Sequence, residues 1–108
     1  MANQLEQLFG CTAFQWDEGN SEKNWIKHRV SRAECEEVFF NEPLLVVPDV
    51  VHSGTEPRFY VLGQTDEGRL LFMALTIRGK LARVISARDM SRREQKEYQR
   101  AQSEEADS

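Results

Sequence analysis

Between Arg58 and Ala87 two turn signals separate three strand-like runs, and that pattern leaves few folds open. Arg58 to Gly63 alternates, with Phe59, Val61 and Gly63 opposite Arg58, Tyr60 and Leu62. Thr65-Asp66-Glu67-Gly68 turns the chain into a long strand from Arg69 to Ile77. Arg78-Gly79 is a two-residue hairpin candidate before Lys80 to Ala87. Turns this short join antiparallel neighbours, because a parallel pair needs a crossover of a dozen or more residues. The three runs are therefore expected as an antiparallel meander within one sheet.

Helical signals flank the meander. Ala13 to Trp16 reads as a short strand entering the core, and Asp17 offers an N-cap carboxylate for a helix from Glu18 to His28. Spacing pairs Glu22 with Ile26 and Trp25 with Arg29, with Trp25 and Ile26 expected to point inward. Ser31-Arg32-Ala33-Glu34 is a capping box, opening a second short helix with Cys35, Val38 and Phe39 on one face. Pro43 ends that segment. Leu44 to Val47 is an apolar strand stopped by Pro48, and residues 49–57 read as a loop. Ser91-Arg92-Arg93-Glu94 is a second capping box and opens a C-terminal helix to about Gln102. The fold class is α+β: an antiparallel β-sheet with two N-terminal helices and a C-terminal helix. A leader of undefined structure is expected at 1–12, a single domain at 13–102 and a polar, frayed tail at 103–108.

The totals agree with one domain. The chain has 108 residues, 40% hydrophobic and 30% charged, which is globular rather than disordered. No apolar run approaches the ~20 residues that span a bilayer. The start lacks the basic and apolar regions of a signal peptide. Cys11 and Cys35 have no zinc or disulfide spacing and read as free thiols in a reducing cytosol, so a cytoplasmic protein without membrane contact is expected. The net charge of −4 hides an uneven distribution. Residues 1–77 carry 6 basic and 12 acidic side chains, residues 78–100 carry 8 and 3, and residues 101–108 carry none and 3. A basic segment of this kind attracts phosphates even in an acidic protein, although a solvated, arginine-rich helix face has the same composition.

No glycine-rich phosphate loop is present, so no cofactor is expected. His28 and His52 are too far apart for a helical ligand pair, and no metal site is expected. His52 reads as a loop residue in solvent. What remains is a set of basic and acid/base groups: Lys27 and His28 ending the first helix, Glu56 and Arg58 opening the meander, and Arg83, Ser86 and Arg88 on its last strand. Arg92 and Arg93 open the last helix, with Tyr98 further along it. Simple alternation places Arg83 with Ile85 and Ala87 on one face, and Val84, Ser86 and Arg88 on the other; a β-bulge would change that register. RNA cleavage needs these residue types. A base removes the 2′-hydroxyl proton, an acid protonates the departing 5′-oxygen, and cations stabilise the phosphoryl charge. Arginine suits the last task because its planar fork binds phosphate at two points. Many small domains carry several arginines and a histidine, and ion pairs with Glu56, Asp89 or Glu94 account for the same residues.

Three segments narrow the choice. FQWDEGNSEKNWIKHRVS, EPRFYVLGQTDEGRLLFMALT and ARVISARDMSRREQKEYQ together cover roughly residues 14–100. They carry a Trp-Asp pair after an aromatic residue, then N-x-x-K-H-x-V-S, E-x-R, I-S-A-R and E-x-x-x-Y. In these the chain resembles the BrnT family of bacterial toxins, small ribonucleases of RelE-like fold paired with BrnA antitoxins. The resemblance places recurrent polar positions on Trp16, Asp17, Lys27, His28, Glu56, Arg58, Ser86, Arg88, Glu94 and Tyr98. Trp16, Asp17 and Glu94 also read as a core aromatic, a helix cap and a capping-box residue.

The resemblance implies a metal-independent endoribonuclease toxin of a type II toxin–antitoxin system. His28, Glu56, Arg58, Arg83 and Arg88 would be catalytic, and Lys27, Arg92, Arg93 and Tyr98 would contact RNA. It also implies a BrnA-like ribbon-helix-helix antitoxin as partner, with DNA reached only through that partner. The alternatives are an inactive toxin-like binding module and a nucleic-acid-binding domain without chemistry. One position departs from the family pattern: Arg29 stands where the family usually has glycine after the histidine. If that residue closes the helix in the left-handed conformation, arginine there costs about 1 kcal/mol.

Overall fold

The computed structural model describes residues 10–11, 13–51, 54 and 56–106. In chain order the elements are β1 (Ala13–Phe14), α1 (Glu18–His28), α2 (Arg32–Val38), β2 (Leu45–Pro48), β3 (Arg58–Gln64), β4 (Leu70–Arg78), β5 (Leu81–Asp89) and α3 (Arg92–Ala106). The strands make one sheet in the order β1-β5-β4-β3-β2. β3, β4 and β5 are consecutive antiparallel neighbours, and β2 adds antiparallel to β3. The expected all-antiparallel sheet is corrected at one edge: β1 runs parallel to β5 through Ala13↔Leu81 and Phe14↔Ala82. Alternation along a strand fixes which face each residue occupies but not the direction of a distant partner.

Both turns close with glycine at positive φ, as their geometry requires. Gly68 takes φ 88 and donates its N–H to Thr65 O at 2.9 Å, while Thr65 Oγ1 accepts from Arg69 N at 3.0 Å. Arg78 pairs with Leu81, so the second loop is Gly79-Lys80, one residue later than Arg78-Gly79. Gly79 has φ 60, as the first central residue of a II′ turn must.

One face of the sheet is covered by helix. Phe59, Val61, Leu71, Met73, Leu75, Val84 and Ala87 from the sheet pack with Cys35 and Val38 of α2 and with Val30, all of them buried. The Ser31 capping box is intact: Ser31 Oγ accepts from Glu34 N at 3.1 Å, and Glu34 Oε1 accepts from Ser31 N at 3.0 Å. Gly63 lets α2 approach, since a Cβ there would collide with Val38 Cγ1. Burial pushes the Cys35 thiol up to about 12, with help from the charges of Glu34 and Glu36, so it is a packing residue. Trp25 is half exposed rather than inward, with the Arg29 guanidinium 5.3 Å from its ring centroid. The expectations for the Ile26 side chain and for His52 lie outside the described residues.

On the second face, α3 covers one end only. Tyr98 packs there with Leu62 and Met90, beside Leu45, Leu70 and Phe72. α3 continues past Gln102 to Ala106, because Ser103-Glu104-Glu105-Ala106 holds no helix breaker.

Arg69, just ahead of β4, fastens these layers. Its guanidinium donates to Asp89 Oδ1 at 2.7 Å, Asp89 Oδ2 at 3.2 Å and Glu34 Oε2 at 3.0 Å. It also reaches the carbonyls of Arg29 at 2.8 Å and His28 at 3.1 Å. The end of α1, the cap of α2 and the end of β5 therefore meet on one cation. Arg29 has φ 54, the left-handed conformation expected if it stands where a closing glycine would.

Candidate functional site

The second face of the sheet becomes cationic because of one irregularity. Between Ala74↔Ser86 and Leu75↔Val84 the register shifts, leaving Ile85 as the extra residue of a β-bulge. Ahead of the bulge Ala82 and Val84 point into the core; after it Ala87 does. Arg83, Ser86 and Arg88 consequently all project from the opposite face. The alternation that places Arg83 apart from Ser86 and Arg88 is corrected by that single inserted residue.

The register then sets rows across the sheet. Arg58 and Arg83 flank Thr76. Tyr60 and Ser86 flank Ala74, and Leu62 and Arg88 flank Phe72. Neighbouring strands lie about 4.8 Å apart, so the Arg58 and Arg83 backbones are about 10 Å apart and their long side chains can converge on one group. Arg58, Tyr60, Thr76, Arg83, Ser86 and Arg88 all stay partly exposed.

Each arginine is held by a carboxylate. Arg83 Nη1 lies 2.8 Å from Asp17 Oδ2. Arg58 Nε lies 3.5 Å from Asp49 Oδ2, and Asp49 is only 6% exposed. Asp49 also accepts from the Tyr60 hydroxyl, which pushes that phenol's pKa up. Arg88 makes a two-pronged contact with Glu94, at 2.8 and 3.0 Å, while its Cζ sits 4.1 Å from the Phe72 ring centroid. That fork pulls the Glu94 carboxyl below its ordinary range against the opposing effect of burial, and Ser91 N–H adds to the pull at 2.8 Å.

The other expected site residues divide. Glu56 pairs with Arg78 at 2.8 Å, beyond the Arg58–Arg83 row. His28 belongs to the opposite end, where its carbonyl meets Arg69 beside Asp89. The Asp89↔Leu71 and Arg78↔Leu81 pairs are seven residues apart along β4, or about 23 Å. The structure thus does not bring His28 and Glu56 together. Among the described residues no hydrogen bond or ion pair joins His28 to Arg58, Arg83 or Arg88. Lys27 is exposed at the end of α1, and Arg92 and Arg93 are exposed in the first turn of α3. Tyr98 is fully buried and donates its hydroxyl to Pro43 O at 2.7 Å, so it is a core residue and has no face to offer a base.

Asp49, Phe72 and Arg69 carry no local signal of these interactions in the sequence. Their partners lie far along the chain, and only Tyr60, alternating in step with Arg58, carried a local signal of its place. Among the described residues no group of three or more His, Cys, Asp or Glu side chains is placed to hold a metal, and no helix is long and apolar enough to cross a membrane.

Fold and site together define the class: a small α+β domain whose mixed sheet is helix-packed on one face and bears arginines and aromatic rings on the other. Residues 16–94 match the family described as the ribonuclease toxin, BrnT, of type II toxin–antitoxin systems, and the chain belongs to that family. A comparison with curated proteins finds no match. Membership implies ribonuclease toxins and an antitoxin partner as the setting for this face.

Proposed function

We propose that the chain is a metal-independent endoribonuclease toxin of RelE-like fold, acting in the cytoplasm and neutralised by a BrnA-like ribbon-helix-helix antitoxin. DNA would be reached only through that antitoxin. The observation that supports this most is the convergence of Arg58, Arg83 and Arg88 on one sheet face. In this reading the substrate 2′-oxygen attacks its own phosphorus, and the bond from phosphorus to the 5′-oxygen breaks. The 2′-proton goes to a base, the 5′-oxygen takes a proton, and the arginines stabilise the extra charge on the phosphoryl oxygens. Only one of Glu56 and His28 can serve a given phosphate at their separation. Glu56, two residues ahead of Arg58, is the one beside the Arg58–Arg83 pair; Lys27, His28, Arg92 and Arg93 would contact RNA further out.

The test is purified chain with end-labelled RNA, with and without EDTA. Cleavage that persists in chelator supports the reading. An intact substrate, or cleavage lost in EDTA and restored by a divalent ion, overturns it. One observation favours a second reading, a toxin-like binding module without catalysis: Asp49, Asp17 and Glu94 already occupy the three arginines. Normal growth on expression without the antitoxin would favour that module.

A further inference from the structure

We propose that Tyr60 and Phe72 form a base-stacking platform for single-stranded RNA, an inference that rests on the ribonuclease reading of the arginine face. The two rings are neighbours on adjacent strands, 5.4 Å apart between centroids and inclined by 33°. Each is flanked by a cation: Arg58 Cζ is 6.0 Å from the Tyr60 ring, and Arg88 Cζ is 4.1 Å from the Phe72 ring. The face therefore runs guanidinium, phenol, phenyl, guanidinium.

Two carboxylates, Asp49 buried and Glu94 partly exposed, hold this surface in place. Asp49 holds the Tyr60 hydroxyl, and Glu94 holds both prongs of Arg88 over Phe72. A guanidinium fixed over a ring is itself a flat surface on which a base can stack, and a prefixed platform loses little side-chain freedom on binding. The Arg58–Arg83 row and the Arg88 row are four residues apart along β4, about 13 Å. Rows that far apart can span successive phosphates of a strand, with a base lying over the rings between them. Only an unpaired base offers its face to a side chain, since a duplex stacks its own bases away. The ligand is accordingly a single strand, read by stacking rather than by base-edge hydrogen bonds.

The test uses a 2′-O-methyl oligonucleotide, which has no free 2′-hydroxyl and so cannot be cleaved, with fluorescence anisotropy on the full chain. Tyr60→Leu is expected to weaken single-strand binding by about tenfold or more, and Tyr60→Phe to stay within about threefold of wild type. Binding of the same sequence as a duplex should change by less than about twofold in either variant. A 4-thiouridine oligonucleotide crosslinked to the wild-type chain should attach at Tyr60 or Phe72, which decides the matter even if a variant fails to fold. Unchanged single-strand affinity in folded Tyr60→Leu, equal losses for strand and duplex, or crosslinks confined to other segments would overturn the platform. So would a loss confined to antitoxin binding. Cleavage of RNA by wild type alongside any of these leaves the ribonuclease reading standing; absence of both cleavage and oligonucleotide binding removes both.

Discussion

The two faces of the sheet are built from the same three strands and follow opposite rules. Toward α2 every side chain from Phe59 to Ala87 is apolar and buried. On the reverse, the alternate residues Arg58, Tyr60, Thr76, Arg83, Ser86 and Arg88 remain in reach of solvent. The first face supplies stability through area removed from water. The second spends its polar side chains on position: Arg58, Arg83 and Arg88 are each tied to an acid from another segment. Such ties add little stability at a surface, but they hold a guanidinium where an anion would meet it. The difference teaches that in a domain of 108 residues one face can carry most of the buried core, leaving much of the other within reach of solvent.

The largest expected contrast separates Phe59 from Arg83. Phe59→Ala should remove about 3–5 kcal/mol of stability by leaving a cavity in the covered face. Arg83→Ala, which loses a partly exposed ion pair, should cost less than about 1 kcal/mol. Urea unfolding of both variants measures this; similar costs would erase the distinction between the faces.

Activity should show the reverse order. Arg88→Ala is expected to lower RNA cleavage about a hundredfold, the scale of losing one donor to a developing oxyanion, or roughly 3 kcal/mol. His28→Ala should lower it less, because among the described residues no hydrogen bond or ion pair joins His28 to Arg58, Arg83 or Arg88, and its carbonyl lies at the Arg69 end. Single-turnover rates on labelled RNA rank the two, and full activity in Arg88→Ala would remove that residue from the site.

Acid should loosen the ties between segments. Asp89 is held low first by its hydrogen bonds to Arg69, and Glu94 first by its bonds to Arg88. For Glu34, burial pushes upward but is outweighed by Ser31 N–H and Arg69. Depressed carboxyl pKa values stabilise the fold above the unfolded values, here 4.5 for Glu and 3.8 for Asp, and that stabilisation is lost as pH falls through the lower folded values. Melting temperature should therefore be nearly flat between about pH 7 and 5 and fall below about 4.5, with a shallower fall in Arg69→Gln. An unchanged slope in that variant would separate Arg69 from the acid response.

The smallest effect concerns Arg29. At φ 54 an arginine is strained where glycine is not, so Arg29→Gly should raise stability by about 1 kcal/mol, a few degrees in melting temperature. A lower melting temperature would mean that the Arg29 contact with Trp25 outweighs the backbone strain.

Local chemistry made much of this protein readable in its sequence. Helix α1 begins and ends where Asp17 and His28 mark it, both capping boxes close, and Gly68 and Gly79 turn the strands of the meander, because each of these decisions is made by residues within a few positions of one another. Alternation likewise placed Phe59 and Val61 inward and Arg58 and Tyr60 on the other side. What the tertiary structure alone decided depends on partners far along the chain. Ile85 bulges out of β5 against β4 and turns Ser86 and Arg88 to join Arg83, which no periodicity count contains. The β1–β5 pairing spans 68 residues, Tyr98 reaches Pro43 across 55, and Arg69 reaches His28 across 41. Burial of Tyr98 removed a residue expected to meet RNA, and the arginine face received Phe72 from a strand that reads as continuous core. Such contacts are selected by packing the whole chain at once, since a side chain's burial and its partner are properties of the assembled layers rather than of the neighbours it has in sequence.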